Sequence, residues 1–327
     1  MESFYSLLLF LPFIALVVVA NLGERQPWAR YTTLGLLILT DVVLLGGGLL
    51  FALLGVLQAV DPTAAAVPGL AGSVWGLAAA LFGTGIVAVL PLIPAVRRGL
   101  ARILPIDASS PVHMTALAFA VYEVGLVLGE MALIGDISTL AEAAQALTPW
   151  DVLLSGLPLL LLALAGVGLI VRRGGVQTLE RLGLRLPQWR HLLLAAVLIA
   201  ALLALDYGVN AAWEALDPAG YGKLTGVTEQ LFGGLMTVGG AIVLGLSAGI
   251  SEELLFRGAL QPRLGLVLSS VLFAAGHLQY GLTVAMLEVF VIGLVLGLVR
   301  RRTNTTTAIL IHAGYNAAGV LLGLLKP

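Results

Sequence analysis

Ten long apolar stretches run through this chain, at residues 4–20, 31–58, 71–96, 112–134, 150–171, 192–213, 232–260, 264–282, 284–299 and 303–325. A helix needs about 20 mostly apolar residues to cross the hydrocarbon of a bilayer. In lipid only helices and closed barrels satisfy every backbone polar group. Outer-membrane strands would read as alternating segments of roughly 10 residues, whereas these runs are continuous and longer. Composition agrees: of 327 residues 59% are apolar and 11% charged, and mean hydropathy is +1.04. Soluble domains run about 45–50% apolar and about 25% charged. Too little charge is present to cover a water-facing surface. The expected fold is all-α, a polytopic transmembrane bundle of about ten membrane helices, multi-pass in the cell (inner) membrane with the lipid bilayer as its surroundings. Glu2 stands where a signal peptide is basic and no clean cleavage site follows, so the first run is read as a retained span.

Other classes drop out on simple counts. There is no cysteine, which removes disulfide scaffolds, thiolate metal sites and cysteine nucleophiles. A net charge of −1 gives no footprint for nucleic acid. The preference for Arg over Lys has a bacterial character.

Basic residues set the orientation. Arg25 and Arg30 follow the first run, and Arg97, Arg98 and Arg102 the third. Arg172, Arg173, Arg181, Arg185 and Arg190 lie between the fifth and sixth, and Arg263 and Arg300–Arg302 occupy the remaining alternate connections. The opposite loops, near Asp61, Asp136–Glu142 and Glu214–Glu229, carry Lys223 alone. Both termini are therefore expected outside the cytoplasm. The Gly-, Pro- and charge-containing stretch from Arg172 to His191 divides the chain. Residues 1–175 form an N-terminal five-helix membrane region of no assigned role, and residues 180–327 form the second half.

Ionisable groups inside hydrocarbon cost a few kcal/mol each and mark functional candidates. Asp41, Glu123 and Glu130 in the first half have no evident ligand set, and packing explains them; His113, His191 and Asp206 fall near span ends. The second half differs. Glu252, Glu253 and Arg257 lie on one span, Phe273 and His277 on the next, and His312 and Asn316 on the last. Glu253 and Arg257 form an i,i+4 pair that can neutralise itself. Glu252 points about 100° away from Glu253 and is less well paired. With the seventh span ending at Pro262, Glu252 lies about 13 Å from its cytosolic end. His312 and His277 lie about 14 and about 20 Å from the starts of theirs. The polar groups thus meet at overlapping depths, from the cytosolic side towards the midplane. A desolvated, poorly paired carboxyl suits proton transfer near neutral pH.

At these residues the chain resembles the CPBP family of CAAX proteases and bacteriocin-processing enzymes, also called the Abi family. That family is marked by EExxxR, FxxxH and HxxxN/D on successive membrane helices, here Glu252-Glu253-x-x-x-Arg257, Phe273-x-x-x-His277 and His312-x-x-x-Asn316. The LGLRLP stretch ending at Pro187 looks like the family's lead-in, so the resemblance covers about residues 180–327. It implies a catalytic domain there and an intramembrane endopeptidase that hydrolyses a peptide bond in or near the membrane. Glu252 would be the base that activates water, assisted by His277. His312 and Asn316 would stabilise the oxyanion, with Glu253, Arg257 and Phe273 supporting the site. Family members are often labelled metalloproteases, and Glu252, His277 and His312 could serve as a zinc set. The metal-free, glutamate-activated water is favoured, because Asn316 is a poor zinc ligand and a good oxyanion donor.

Three other readings use the same residues. Gly245-Leu246-Ser247-Ala248 resembles, but misses, the GxSG of rhomboid serine proteases, and no oriented base accompanies Ser247. A proton-coupled transporter could relay through Glu123, Glu130 and Glu252, yet shows internal repeats that are not found here. A non-catalytic membrane scaffold or immunity protein would have no use for an unpaired Glu252. The expected substrate is a peptide or membrane protein, lipidated or not.

Overall fold

The computed structural model describes residues 2–61, 72–135 and 145–325. Helices α1 (Glu2–Leu22), α2 (Pro27–Val60), α3 (Val74–Ala88), α4 (Pro94–Leu100), α5 (Pro111–Ile134) and α6 (Pro149–Gly166) make up the first half. A short α7 (Gly175–Leu182) leads to α8 (Trp189–Leu216), α9 (Pro218–Phe232) and α10 (Val238–Glu253). A π-helical segment, Leu254–Leu260, joins α10 to α11 (Gln261–Ala275). Helices α12 (Val284–Arg302) and α13 (Thr305–Gly323) complete the chain. Among the described residues no strand forms beyond an isolated bridge between Leu169 and Arg173. The protein is an all-α bundle.

Six helical segments are long and apolar enough to cross a membrane: Pro27–Val60, Val74–Leu92, Pro111–Ile134, Pro149–Gly166, Trp189–Leu216 and Val238–Ala275. The ten expected spans are not confirmed as a count, and the reasons are local. The seventh and eighth runs follow each other in a helical stretch, Val238–Ala275, that is interrupted close to the expected boundary between them. Pro262 does not end it, because it sits in the first turn of α11, where a missing N–H costs nothing. The break comes at Gly265 instead, with φ 79° and ψ 175°, a backbone conformation open to glycine. Residues 218–232, expected to lie in the external connection before the seventh run, are a separate helix. Helices α12 and α13 have 19 residues each, but Glu288, the Arg300–Arg302 triplet, His312 and Asn316 dilute their apolarity. The start of the third run at residue 71 and the Asp136–Glu142 loop lie outside the described residues.

The two halves are packed together. Helix α6 lies against α1, α10 and the π segment, α10 lies against α13, and α11 packs on both α5 and α12. One apolar core runs through Phe256, Leu264, Leu272, Phe273, Leu296 and Ile311. The LGLRLP stretch has a structural task. Gly183 takes φ 76° to end α7, a left-handed cap suited to glycine. Thr305 then ties the start of α13 to it, its N donating to the Gly183 carbonyl (3.0 Å) and its Oγ1 to the Leu182 carbonyl (2.6 Å). The helix carrying His312 and Asn316 is thereby fixed to the lead-in.

Candidate active site

Glu252 and Glu253 end α10, and the π turn that follows carries Arg257. π turns are uncommon and often mark functional sites. Two rungs hold this one against α12. Arg257 Nη2 donates to the Gly293 carbonyl (3.2 Å), and one turn on Gln261 Nε2 donates to the Gly297 carbonyl (2.8 Å). Glycine at both positions keeps the carbonyls open. A Cβ on Gly297 would meet Leu266 Cδ1 at 2.4 Å, and one on Gly293 would meet Phe273 Cδ1 at 3.2 Å.

Glu253 is fully buried. Its Oε2 lies 3.2 Å from Arg257 Nε, an ion-pair contact not aligned as a hydrogen bond, and its Oε1 accepts from His312 Nδ1 at 3.0 Å. Arg257, 1% exposed, also places its guanidinium 4.2 Å from the centroid of the Phe273 ring. The i,i+4 pairing expected of Glu253 and Arg257 is present. The sequence reading did not anticipate that Glu253 also takes His312. Helix angle leaves Glu253's second oxygen free, and only the approach of α13 decides what fills it.

Glu252 faces the other way, as its angle on the helix predicts. Its Oε2 is 3.8 Å from His277 Nε2, too long for a direct hydrogen bond and suited to a bridging water. His277 Nδ1 is 2.7 Å from the Phe273 carbonyl. A carbonyl can only accept, so Nδ1 carries the proton and Nε2 is left facing Glu252. Phe273 contacts both imidazoles, with ring centroids 4.9 Å from His277 and 5.7 Å from His312. It also packs edge-on against Phe256.

Glu252, His277, Phe273 and Phe256 border a cavity of about 790 Å³. Glu123 and Glu130 of α5 border it too, and a Cβ on Gly276 would lie 3.8 Å from Glu123 Oε1. The sequence alone points to packing for these two carboxylates, and the structure sets them on the cavity wall. Their seven-residue spacing on one face was visible in the sequence, but the helix they face was not. His312 is buried and Asn316 half-buried one turn beyond it; neither borders this cavity.

Among the described residues no three His, Asp or Glu side chains are gathered as metal ligands, so Glu252, His277 and His312 do not form a preassembled zinc set. Glu253 accepts from Nδ1 of His312, which leaves Nε2 for another partner. Ser247 donates its hydroxyl to the Val152 carbonyl at 2.8 Å, the backbone bonding common for serine in membrane helices. Asp41 accepts from Tyr122 Oη at 2.7 Å, joining α2 to α5. His113 and His191 accept backbone N–H groups near their helix starts.

Residues 234–318 match the family model described as type II CAAX prenyl endopeptidase Rce1-like. The matched stretch contains all of Glu252, Glu253, Arg257, Phe273, His277, His312 and Asn316. The match supports a CPBP/CAAX protease family for this stretch. In general terms it supports an intramembrane endopeptidase and, with the long apolar helices, a multi-pass integral membrane protein. Among curated proteins and among solved structures nothing matches the chain.

Proposed function

We propose that the protein hydrolyses a peptide bond with water activated by Glu252 and His277. The observation that carries this reading is the Glu252–His277 pair on the cavity wall, with the buried Glu253–His312 pair behind it. Glu252 is the base: it takes a proton from water as the oxygen attacks the peptide carbonyl carbon. His277, its tautomer fixed by the Phe273 carbonyl, orients that water through Nε2. The proton then passes to the departing amine nitrogen as the C–N bond breaks.

His312 and Asn316 are the proposed oxyanion donors. With Nδ1–H held by Glu253, a protonated His312 presents Nε2–H as a second donor. Glu253, Arg257 and His312 together then sum to one positive charge, which opposes the developing oxyanion. The carbonyl has to enter past Phe273 to reach them. Residues 180–327 are the catalytic unit on this reading, and residues 1–175 contribute a wall of its cavity through α5. The family description makes a lipidated C-terminal peptide the first substrate to test, beside unmodified peptides. No metal is required, because the carboxylate supplies the base and the paired donors supply the charge.

The test is peptide-library cleavage by the purified full chain, wild type beside Glu252→Gln, each before and after exhaustive chelation. Glu252→Gln keeps volume but cannot accept the proton, so cleavage should fall by about 10²–10⁴, and chelation should leave the wild type active. Activity lost on chelation and restored by zinc would replace the metal-free step. Full activity in Glu252→Gln would remove the glutamate mechanism.

A further inference from the structure

The bond from His277 Nδ1 to the Phe273 carbonyl fixes a tautomer, but one hydrogen bond lets an imidazole pivot about it. A second aromatic ring contacts the same imidazole. Tyr280 ends the short helical turn Leu278–Tyr280 that follows α11. It stacks on His277, with ring planes 14° apart and centroids 6.0 Å apart. The Tyr280 backbone is held on both sides. Its N donates to the His277 carbonyl (3.1 Å), and its carbonyl accepts from Thr283 Oγ1 (2.7 Å), just before α12.

From His277 the phenol leads to a polar cluster that the proposed mechanism does not use. Its hydroxyl lies within electrostatic reach of Glu252, of Asp206 on α8 and of Glu288 on α12. Glu288 is 8% exposed, and its Oε1 has no hydrogen-bond partner among the described residues. Asp206, whose Oδ1 accepts from Asn210 Nδ2 (3.0 Å), is close enough for its charge to act on Glu288. Tyr315, which precedes Asn316 on α13, lies in the field of both carboxylates and of Tyr280. A buried carboxylate without a donor is costly, and a second one beside it adds repulsion. Phenol O–H groups are donors suited to that need. Asp206, Tyr280, Glu288 and Tyr315 lie off the cavity, whose wall runs from Glu252 and His277 to Arg172, Arg181 and Arg263. From there they reach a substrate only through another residue.

We propose that Tyr280 is a positioning residue: its ring holds the His277 imidazole in the plane that turns Nε2 towards Glu252, and its hydroxyl, donating to Glu288, holds the ring. The inference rests on the part given to His277 in the reaction above. It explains two features together. An apolar ring would stack on His277 as well, so stacking alone gives no reason for a phenol. An apolar side chain would fill the place of Glu288 without burying an unpaired oxygen, so packing alone gives no reason for a carboxylate. Each supplies what the other lacks, a donor for the acid and an anchor for the ring.

The experiment measures kcat and KM of the purified full chain on a cleaved library peptide. Misplacing a catalytic group by about 1 Å costs about 10² in rate. Tyr280→Leu should therefore lower kcat by about 10², and Tyr280→Phe and Glu288→Leu by about tenfold each, all with KM changed less than about twofold. In a His277→Ala background Tyr280→Leu should lower kcat no further, because the ring it holds is gone. A loss that persists there would make the effect general and overturn the positioning role, as would wild-type kcat in Tyr280→Leu. Wild-type kcat in Tyr280→Phe would overturn the share of the hydroxyl. Additive losses from Tyr280→Phe and Glu288→Leu would overturn the bond between them. Imidazole nitrogen NMR, with 4 histidines in the chain, separates this inference from the reaction it rests on. Tyr280→Leu should turn the single Nδ1–H tautomer of His277 into a mixture and leave His312 unchanged. That change in a protein that cleaves no peptide keeps the positioning role and overturns the endopeptidase. Cleavage by wild type, with the His277 signal unmoved by Tyr280→Leu, does the reverse.

Discussion

Glu253 and His312, 59 residues apart in sequence, meet at 3.0 Å in the interior of the bundle. Glu252, its neighbour in the chain, instead faces His277. Adjacent helical positions diverge by about 100°, so two consecutive glutamates serve two different histidines from two different helices. One pair borders the cavity, and the other is sealed behind it with Arg257. On the proposed mechanism this division gives the EExxxR sequence its sense: the first carboxylate would act on the substrate, and the second would fix the geometry.

The contact between α10 and α13 depends on Gly245 and Gly249. A Cβ on Gly249 would lie 2.9 Å from Ala313 N and 3.0 Å from its Cα, and one on Gly245 would lie 2.5 Å from the Ala313 carbonyl oxygen. Small residues four apart let membrane helices approach this closely. Gly249→Val should push α13 away and break the bond between Glu253 and His312. A loss of about 1–3 kcal/mol is expected from overpacking, read as a lower melting temperature in detergent. Unchanged melting and unchanged cleavage would show that the Glu253–His312 bond tolerates a wider spacing.

Arg257→Ala leaves Glu253 buried with one partner fewer and removes the rung to Gly293. Breaking a buried pair typically costs about 3–5 kcal/mol, so the main symptom should be a loss of folded protein on size-exclusion chromatography. Normal stability with no cleavage would instead move Arg257 into the reaction itself.

The sequence made the site's composition legible and its pairing only half so. Glu253 with Arg257 follows from i,i+4 spacing within one helix, and the outward turn of Glu252 follows from helix angle. Which histidine meets which glutamate depends on how α10, α11 and α13 are rotated about their own axes. That is set by side-chain-free faces such as Gly245 and Gly249 against Ala313, and by the Thr305 tie to the lead-in. Glu123 needed the same information, since its relation to Gly276 exists only where α5 packs on α11. The boundary between the seventh and eighth runs lies at Gly265 and not at Pro262 for a different reason. A proline in a first turn does not break a helix, and a glycine inside an apolar run gives no warning that it will.

Orientation rests on arginine asymmetry and is open to a direct check. Reporter fusions after residues 100, 180 and 302 should read cytoplasmic, and those near 65, 140 and 220 external. Consistent inversion would move the arginine-lined part of the cavity to the other side of the membrane. Disagreement within either set of three would mean that the α10–α11 segment does not cross as drawn.

His312 and Asn316 should behave differently although they lie one turn apart. As oxyanion donors each should lower kcat by about 10²–10³ when replaced by alanine, with KM little changed. His312→Ala also strips Glu253 of a hydrogen bond at a fully buried carboxylate, so it should lower the melting temperature as well. Asn316 is half-buried and outside the bonds made by Glu253 and Arg257, so Asn316→Ala should melt like wild type. The pair of measurements therefore separates a donor that is also part of the buried network from one that acts on the reaction alone. Asn316→Ala with wild-type kcat would leave His312 as the single donor from α13 and require the second to come from backbone N–H groups.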